Sequence, residues 1–250
     1  MAAFILLDTE TTGAGPSDRL CQIAFLVAEG KAPLRAVESF CKPPLPIGFG
    51  AMAVHHITNE MVADKPPYNE SEAAAALDAL NLPENVLIIH NAPFDVEMLR
   101  REGVLWKGPV IDTLRCARHL IDEVESHALQ HLRYALGFYK DETAVAESLG
   151  AKIAAHDALG DVIVLYLLMK HLMGLVGKNG DGVSELIRLS NEPVLLKKFR
   201  FGKYRGMAYE EVAKSDPGYM DWLLKSEMQK EEPDEDLRHT LQYYLQGGKR

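Results

Sequence analysis

The sequence predicts an α/β protein: a mixed β-sheet flanked by helices, with a small C-terminal α+β extension. Two short apolar runs, Phe4–Leu7 and Cys21–Ala28, are separated by a turn rich in Gly, Pro and Ser, a pattern typical of neighbouring strands. After them, strand-like and helix-like segments alternate along the chain. Strands that come first and are followed by such alternation favour a sheet covered by helices on its faces.

The later elements follow from their local patterns. Ser71–Leu80 contains Glu72 and a run of alanines, which predicts a helix. Asp157–Met173 is apolar nearly all round, which predicts a long helix in the centre of the fold. Between these two helices the sequence predicts a strand, a helix and a second strand, at Val86–His90, Asn91–Arg101 and Val110–Asp112 respectively.

Composition limits the class of protein. The 250 residues include 47% hydrophobic and 25% charged side chains, as in soluble globular proteins. The longest apolar stretch, Val162–Met169, is well short of the ~18–20 residues that span a bilayer, so no membrane segment is expected. Three cysteines without a CxxC pair fit a reducing compartment, so we expect a cytoplasmic protein without a disulfide framework or a zinc site.

The distribution of charge divides the chain. The net charge of −9 argues against a protein that coats nucleic acid non-specifically. Residues 1–177 carry 14 basic and 23 acidic side chains, whereas residues 178–250 carry 13 of each. Because the balance changes at a glycine-rich segment, we predict a domain at 1–176, a linker at 177–182 and an extension at 183–250.

Two carboxylates follow the first apolar strand. Asp8 and Glu10 are spaced i, i+2, which places both side chains on one face if the strand continues through Glu10. Like charges so close raise each other's pKa unless a cation lies between them, and Mg²⁺ or Mn²⁺ prefers such oxygen ligands. The alternative interpretation is a solvated strand end or a turn.

Three further polar residues stand where helices begin. Asp95 falls in the first turn of a helix, where it either binds a metal or stabilises the helix N-terminus. His156 and Asp161 would point ~140° apart on one helix, so they converge only if His156 precedes it. Asp161 heads an apolar helix, and a half-buried carboxylate needs a partner or a metal. A single His near an Asp is otherwise usually structural.

Together these residues resemble the DEDD-type 3′→5′ exonucleases. The strings DTETTG, HNAPFD and HDALGD carry the resemblance, and the position of His156 before the last aspartate marks the His subgroup, DEDDh. The resemblance implies a ribonuclease H-like fold and hydrolysis of the terminal phosphodiester with release of a nucleoside monophosphate. It also implies two divalent ions, Mg²⁺ or Mn²⁺, held by Asp8, Glu10, Asp95 and Asp161, with His156 as the general base.

The same resemblance implies residues that meet the terminal nucleotide of the substrate. These are Thr9, Thr11, Thr12, His55, Asn91 and Phe94. The threonines are otherwise the end of a strand, and Phe94 is equally well a packing residue at a helix start. The loop Ala14–Asp18 lacks the larger residues that such enzymes often place against the terminal base pair.

The C-terminal part carries a second resemblance. FGKYRG at Phe201–Gly206, followed by Asp216–Tyr219 and Trp222-Leu223, is similar to the C-terminal region of the exodeoxyribonuclease X group. The overlapping run Lys197–Arg205 interleaves cations with aromatics, which favours contact with phosphates and unstacked bases. A hairpin with its aromatics in a core and its charges in water explains the pattern equally well. The cations assigned to the contact are Lys197, Lys198, Arg200, Lys203 and Arg205.

DNA, as single strands or frayed duplex 3′ ends, is the substrate that the C-terminal resemblance favours. RNA 3′-trimming is an alternative, because the motif core is shared by enzymes of both kinds. A catalytically silent nucleic-acid-binding or polymerase-associated module is a third possibility. The presence of all five catalytic positions argues against that last interpretation.

Overall fold

The protein folds into two compact units, Met1–Ser190 and Asn191–Arg250. The first unit is a mixed sheet flanked by helices, as predicted. The second is helical, and the β structure in its described part is a single bridge between Lys198 and Ala208. This computed structural model describes residues 2–121, 124–150, 158–177, 181–231 and 233–248.

The strands of the described residues form one sheet in the first unit. They span Ala3–Thr11 (β1), Leu20–Glu29 (β2), Arg35–Phe40 (β3), Val86–Ile89 (β4) and Val110–Asp112 (β5). Their order in the sheet is β3-β2-β1-β4-β5. β2 pairs antiparallel with β1 and β3, whereas β1, β4 and β5 run parallel. The carboxyl ends of β1, β4 and β5 therefore meet at one edge of the sheet.

Some of the helices begin where a local side chain accepts a hydrogen bond from an N–H group of the first turn. Ser71 Oγ accepts from the Ala74 N–H at 3.1 Å, and Asp112 Oδ1 accepts from the Leu114 N–H at 2.9 Å. The helices in the described residues are Phe49–His55 (α1), Asn59–Val62 (α2), Glu72–Leu80 (α3), Ala92–Arg101 (α4), Thr113–Leu120 (α5), Leu129–Ala135 (α6), Glu142–Leu149 (α7), Ala158–Val176 (α8), Gly182–Asn191 (α9), Tyr209–Ser215 (α10), Pro217–Met228 (α11) and Glu235–Leu245 (α12).

The side chains of β1 alternate between two cores. Leu6 packs in a core that contains residues of α5 to α9, whereas Ile5 and Leu7 pack in a core with α3 and α4. Because both faces of β1 are covered, its residues 3–7 form a continuous apolar run rather than an alternating one. α8 is long and apolar enough to cross a membrane, but it packs on β1 and β2 as a core helix of this unit.

The boundary between the units lies later than the linker predicted at 177–182. α9 belongs to the first unit, because Leu186 and Leu189 are buried in the core around α8. Ser190 Oγ also accepts a hydrogen bond from the Asp112 N–H at 2.9 Å. Of the predicted linker, residues 178–180 lie outside the described residues.

The three cysteines are buried, free thiols of the first unit. Burial raises the pKa of the Cys21 thiol to about 12, and the pKa values of Cys41 and Cys116 to about 11. Their side chains serve as small apolar groups in the cores.

Candidate metal centre

Three carboxylates converge at the carboxyl end of β1. Asp8 and Glu10 share the face of β1 that carries Leu6, which packs towards α8. Asp161 lies in the first turn of α8. One carboxylate oxygen from each of Asp8, Glu10 and Asp161 lies within 4.8 Å of the other two. The i, i+2 spacing on the strand and the acidic start of the apolar helix together build this cluster.

A buried glutamine fastens the start of α8 to the strand beside Glu10. Gln22 of β2 pairs with Glu10 across the sheet and is fully buried. Its Oε1 accepts a hydrogen bond from the N–H of Ala158, the first residue of α8, at 3.2 Å. Asp161 is thereby placed relative to Glu10. His156 lies outside the described residues, so its role as the general base stays a prediction.

A polar relay holds the Asp161 carboxylate. Gln130 of α6 donates from Nε2 to Asp161 Oδ1, and Gln130 Oε1 accepts from Arg133 Nη1 at 3.1 Å. Arg133 forms two parallel hydrogen bonds with Glu142, one of them from Nε to Oε2 at 2.6 Å. The side chains of this ion pair are only 11% and 6% exposed. The side chain of Asp161 is thus oriented by the Gln130 amide, and Gln130 is in turn held by the buried ion pair of Arg133 and Glu142.

Asp95 is hydrogen-bonded to Thr9 and is not one of the three grouped carboxylates. It lies in the first turn of α4, as predicted, and is 4% exposed. Its Oδ1 accepts from Thr9 Oγ1 at 2.6 Å. Burial raises the pKa of Asp95 to about 7, against the smaller lowering by its hydrogen bonds. Its role as a metal ligand stays a prediction.

Asn91 and Phe94, at the start of α4, differ in their exposure to solvent. Asn91 is exposed and adopts the left-handed conformation at φ 73°, and its N–H donates to Asp112 Oδ1 at 3.1 Å. Phe94 is half-buried and packs on the core that contains α4, which supports the packing interpretation. Contact of either residue with a nucleotide stays a prediction.

The hydroxyls of Thr9, Thr11 and Thr12 all donate to the protein itself. Their acceptors are Asp95 Oδ1, the Gly13 carbonyl oxygen and Asp18 Oδ1, at 2.6, 2.8 and 2.6 Å. All three side chains are buried. The contact of these threonines with substrate, through backbone or hydroxyl, stays a prediction.

Hydrogen bonds join both the start and the last turn of α1 to the residues at the end of β1. His55 Nε2 donates to the Thr11 carbonyl oxygen at 3.1 Å, and its Nδ1 accepts from the Ile57 N–H at 3.0 Å. These partners select the neutral ring, and burial lowers the pKa of His55. At the start of α1, the Gly48 N–H donates to the Thr12 carbonyl oxygen at 3.2 Å. The predicted contact of His55 with a nucleotide stays a prediction.

The predicted nucleic-acid contact lies on the second unit. Its five cations are all exposed, namely Lys197, Lys198, Arg200, Lys203 and Arg205. Phe199 is buried and stacks on Tyr209 with 3.8 Å between ring centroids, whereas Phe201 is 44% exposed. Lys203 Nζ lies 4.7 Å from the centroid of the Tyr204 ring. Phe199 thus lies in a core, as the hairpin interpretation expects, and Phe201 lies on the surface among cations; contact of the segment with nucleic acid stays a prediction.

The donor set of the cluster fits a divalent metal ion. Asp8, Glu10 and Asp161 offer only carboxylate oxygens, the ligands that hard divalent cations prefer. A cation between them relieves the repulsion of three neighbouring negative charges. A cluster of this kind at the carboxyl edge of a helix-flanked mixed sheet has the composition of a metal-dependent hydrolase site.

The chain belongs to the exonuclease family. Residues 5–169 match the family described as Exonuclease, and residues 199–227 match the family described as Exodeoxyribonuclease X-like C-terminal. The chain is 30% identical to Exodeoxyribonuclease 10 of Escherichia coli K12, over 96% of this chain and 98% of that protein. It is 35% identical to the DNA polymerase III subunit epsilon-like protein of Rhodobacter capsulatus, over 62% of this chain and 23% of that protein. The predicted exonuclease family is confirmed.

Solved structures confirm the predicted ribonuclease H-like fold. Exonuclease X in complex with 5′ overhanging duplex DNA covers 75% of this chain and 99% of its own, at a TM-score of 0.52 and 23% identity. Exonuclease I of E. coli in complex with a dT13 oligonucleotide covers 71% of this chain and 42% of its own, at a TM-score of 0.54 and 21% identity.

Three residues that support the site were not predicted. Gln22 is a polar residue within an apolar strand, a signal that could have marked it. Asp112 ends a short strand beside Asn91, and a carboxylate at that edge of the sheet is a comparable signal. Gln130 has no such signal, because its contact with Asp161 joins parts of the chain that are far apart in sequence.

Proposed function

We propose that this protein is a metal-dependent 3′→5′ exodeoxyribonuclease that releases nucleoside 5′-monophosphates from single-stranded or frayed DNA ends. The observation that carries the proposal is the cluster of Asp8, Glu10 and Asp161, within 4.8 Å on a chain of the exonuclease family. DNA as the substrate is supported by the relative named as an exodeoxyribonuclease, which matches nearly the whole chain.

The carboxylates are proposed to hold two divalent ions, Mg²⁺ or Mn²⁺. Asp8, Glu10 and Asp161 have the donor set for this, and Asp95 is proposed as the fourth ligand. Asp95 is supported by its buried place next to β1, where Thr9 holds its carboxylate. When bound, such ions lower the pKa of a water and stabilise the negative charge on the departing 3′-oxygen.

His156 is proposed to accept the proton of the attacking water. Its support is its place in the sequence shortly before Asp161, whose helix begins at Ala158 on the amide of Gln22. Gln130 keeps the Asp161 carboxylate in one orientation, so the site is ordered before substrate arrives.

The second unit is proposed to hold the DNA backbone and unpaired bases. Lys197, Lys198 and Arg200 would contact phosphates, together with Lys203 and Arg205. Phe201 and Trp222, which are 44% and 59% exposed, offer rings on which bases can stack. The Trp222 ring lies 5.7 Å from that of Tyr219, which in turn contacts Tyr204 at 5.0 Å.

A substrate panel tests the proposal. The full-length protein is incubated with single-stranded DNA, blunt duplex DNA and RNA, each labelled at the 3′ end, with Mg²⁺, Mn²⁺ or a chelator. We expect mononucleotides from DNA with either metal and none with chelator or with the Asp8→Asn variant. Release from RNA and not from DNA would favour RNA trimming. DNA binding without release under any condition would favour the silent module.

A further inference from the structure

An aromatic side chain stands exposed at the start of α1. Phe49 is 88% exposed, the largest value among the large hydrophobic side chains in the described part of the chain. Phe25, Phe138 and Phe199 are by contrast buried. Single exposed apolar residues are common on protein surfaces, so exposure by itself assigns no role to Phe49. A role for Phe49 is indicated instead by its position near the strand that carries the carboxylate cluster.

The backbone beside Phe49 is fixed to the strand that carries the carboxylates. The Gly48 N–H donates to the carbonyl oxygen of Thr12, and Thr12 follows Glu10 by two residues. The two segments approach so closely that a Cβ on Gly48 would lie 3.4 Å from that oxygen. Ile47 is buried, and its N–H donates to Asn59 Oδ1 at 2.8 Å. Phe49 therefore projects from an anchored backbone, next to the end of β1.

The outer face of α1 is apolar and uncharged. Ala51 and Met52 pack on a buried cluster that includes Ile47, and His55 is buried against Thr11. The exposed residues have the i, i+1, i+4, i+5 spacing of a single helix face, and they are Phe49, Gly50, Ala53 and Val54. Such a face does not suit phosphates, whereas the flat apolar surface of a base matches it.

We infer that Phe49 stacks on a base at the end of a DNA duplex and so stabilises the opened terminal pair. The inference rests on the proposed function and deepens it. A paired 3′ nucleotide reaches the cluster only after its pair opens, and a freed base that stacks on an aromatic ring recovers part of the stacking it loses. The loop on the other side of Thr12, residues 13–18, contains no aromatic residue that could do the same.

The test compares duplex and single-stranded substrates. We would measure kcat/KM for removal of the first nucleotide from blunt duplex and from single-stranded DNA, for the wild type and for three variants. Phe49→Ala should lower the duplex-to-single-strand ratio by about 10-fold, because one base-stacking contact is lost. Phe49→Trp should keep the ratio, and Phe49→Leu should lower it. Full retention of the ratio by Phe49→Leu would overturn stacking as the cause.

A matched control uses another exposed hydrophobic residue. Leu105 is 69% exposed and lies before β5, away from the carboxyl edge of the sheet, so Leu105→Ala should leave the ratio unchanged. An equal ratio in wild type and Phe49→Ala, with both folded by circular dichroism, would overturn the inference.

A binding measurement separates this inference from the proposed function. In an Asp8→Asn background, the fluorescence of 2-aminopurine at the 3′ end of a duplex should rise on binding as its pair opens and it leaves the base stack, and Phe49→Ala should reduce this rise. If the wild type released no nucleotide from any DNA, the proposed function would fail, and the fluorescence would still decide whether Phe49 meets the base. An unchanged rise in Phe49→Ala would overturn the inference alone.

Discussion

At the scale of single residues, the candidate site consists of carboxylates whose mutual repulsion lowers the stability of the folded protein. Asp8, Glu10 and Asp161 bring three carboxylates within 4.8 Å, where like charges repel and disfavour ionisation. Asp95 shows the cost of burial directly, since its pKa is raised to about 7. Such residues lower the stability of the fold unless a bound cation offsets their charge.

We predict that Asp8→Asn abolishes hydrolysis and leaves the fold intact. Activity should fall by about 1000-fold or more, because removing a catalytic ligand removes stabilisation of the transition state. In chelator, the Tm of the variant should equal or exceed that of the wild type, since one repelling charge is gone. The rise of Tm with Mg²⁺ should shrink, as measured by thermal unfolding.

Asp78→Asn is the matched control for this prediction, because Asp78 is an exposed acid on α3. It should change neither activity nor the effect of Mg²⁺. A Tm of Asp8→Asn well below that of the wild type in chelator would contradict the account of repulsion.

His90 should make stability depend on pH. Burial lowers its pKa to about 4, and its Nε2 donates to the His127 carbonyl oxygen at 2.9 Å. An unfolded histidine titrates near pH ~6.5, so between about pH 6.5 and 4 the unfolded state binds more protons. The free energy of unfolding should therefore fall with falling pH across this window, by roughly 3 kcal/mol at most.

Denaturant unfolding at about pH 7 and about pH 5 measures this contribution. His90→Asn should reduce the difference in unfolding free energy between the two values. His56→Asn replaces an exposed histidine and should leave the difference as in the wild type. An unchanged pH dependence in His90→Asn would assign the effect to other groups.

At the scale of elements, the ends of strands and helices hold the site in place. α8 begins on Gln22 of β2, α6 reaches Asp161 through Gln130, and α1 is tied to β1 by His55. These contacts join α1 to the end of β1, α8 to the neighbouring strand β2 and α6 to the Asp161 carboxylate. The geometry of the cluster is therefore set by tertiary contacts around it, which gives a testable role to residues that bind nothing themselves.

We predict that Gln130→Met weakens metal dependence without unfolding the protein. Methionine has nearly the same shape but cannot donate to Asp161, and its sulfur is only a weak acceptor for Arg133. The metal concentration for half-maximal activity should rise by about 10-fold, because supporting residues typically contribute this much. A merely structural role would lower Tm and leave metal dependence as it is.

His131→Ala, the neighbouring position on α6, is the control and should leave metal dependence unchanged. In a double-mutant cycle, Gln130→Met should have little further effect on metal binding once Asp161 is replaced by Asn. Additive effects of the two substitutions would contradict the relay.

At the scale of the whole molecule, the acidic balance is confined to one part of the chain. Residues 1–177 hold the excess of acids, and residues 178–250 are neutral overall. Four of the acids in the first part are proposed metal ligands, whose charge two divalent ions would offset. The second part contributes the exposed cations around Phe201. A net charge of −9 is thus compatible with an enzyme that acts on a polyanion.

We predict that Lys198→Glu with Arg200→Glu weakens DNA binding and its salt dependence. Each lost phosphate contact should reduce the slope of log affinity against log salt by about 1. Fluorescence anisotropy over a range of salt concentrations measures both quantities. Lys214→Glu with Lys225→Glu, exposed on α10 and α11, is the matched control and should have less effect. Equal slopes for both pairs would contradict the predicted contact.

The sequence predicted those parts of the fold whose burial leaves a pattern. The first half of β1 is covered on both faces and most of α8 is buried, so both appear as continuous apolar runs. β3 was not predicted, because it is an edge strand in which only Val37 is buried among polar residues. The boundary after α9 was missed because a glycine-rich segment precedes a helix that still packs on the first unit.

The candidate site was likewise predictable only where its residues leave a local pattern in the sequence. Asp8, Glu10 and Asp161 were recognisable because acids interrupt apolar segments at strand and helix ends. The hydrogen bonds of Asp95 with Thr9 and of Gln130 with Asp161 could not be recognised from the sequence, because each joins residues that are distant along the chain. Local pattern therefore identifies the grouped carboxylates, and only the folded chain identifies what orients them.

Because its native thiols are buried, the protein is suited to labelling at a single introduced cysteine. With pKa values of about 11 to 12, Cys21, Cys41 and Cys116 hold very little thiolate near neutral pH and are shielded from reagents. A cysteine introduced at exposed Ala14 would therefore take up a maleimide dye alone, with the native thiols left in place. A fluorophore there would report the arrival of a DNA end at β1 in real time, in a protein whose cores are unaltered.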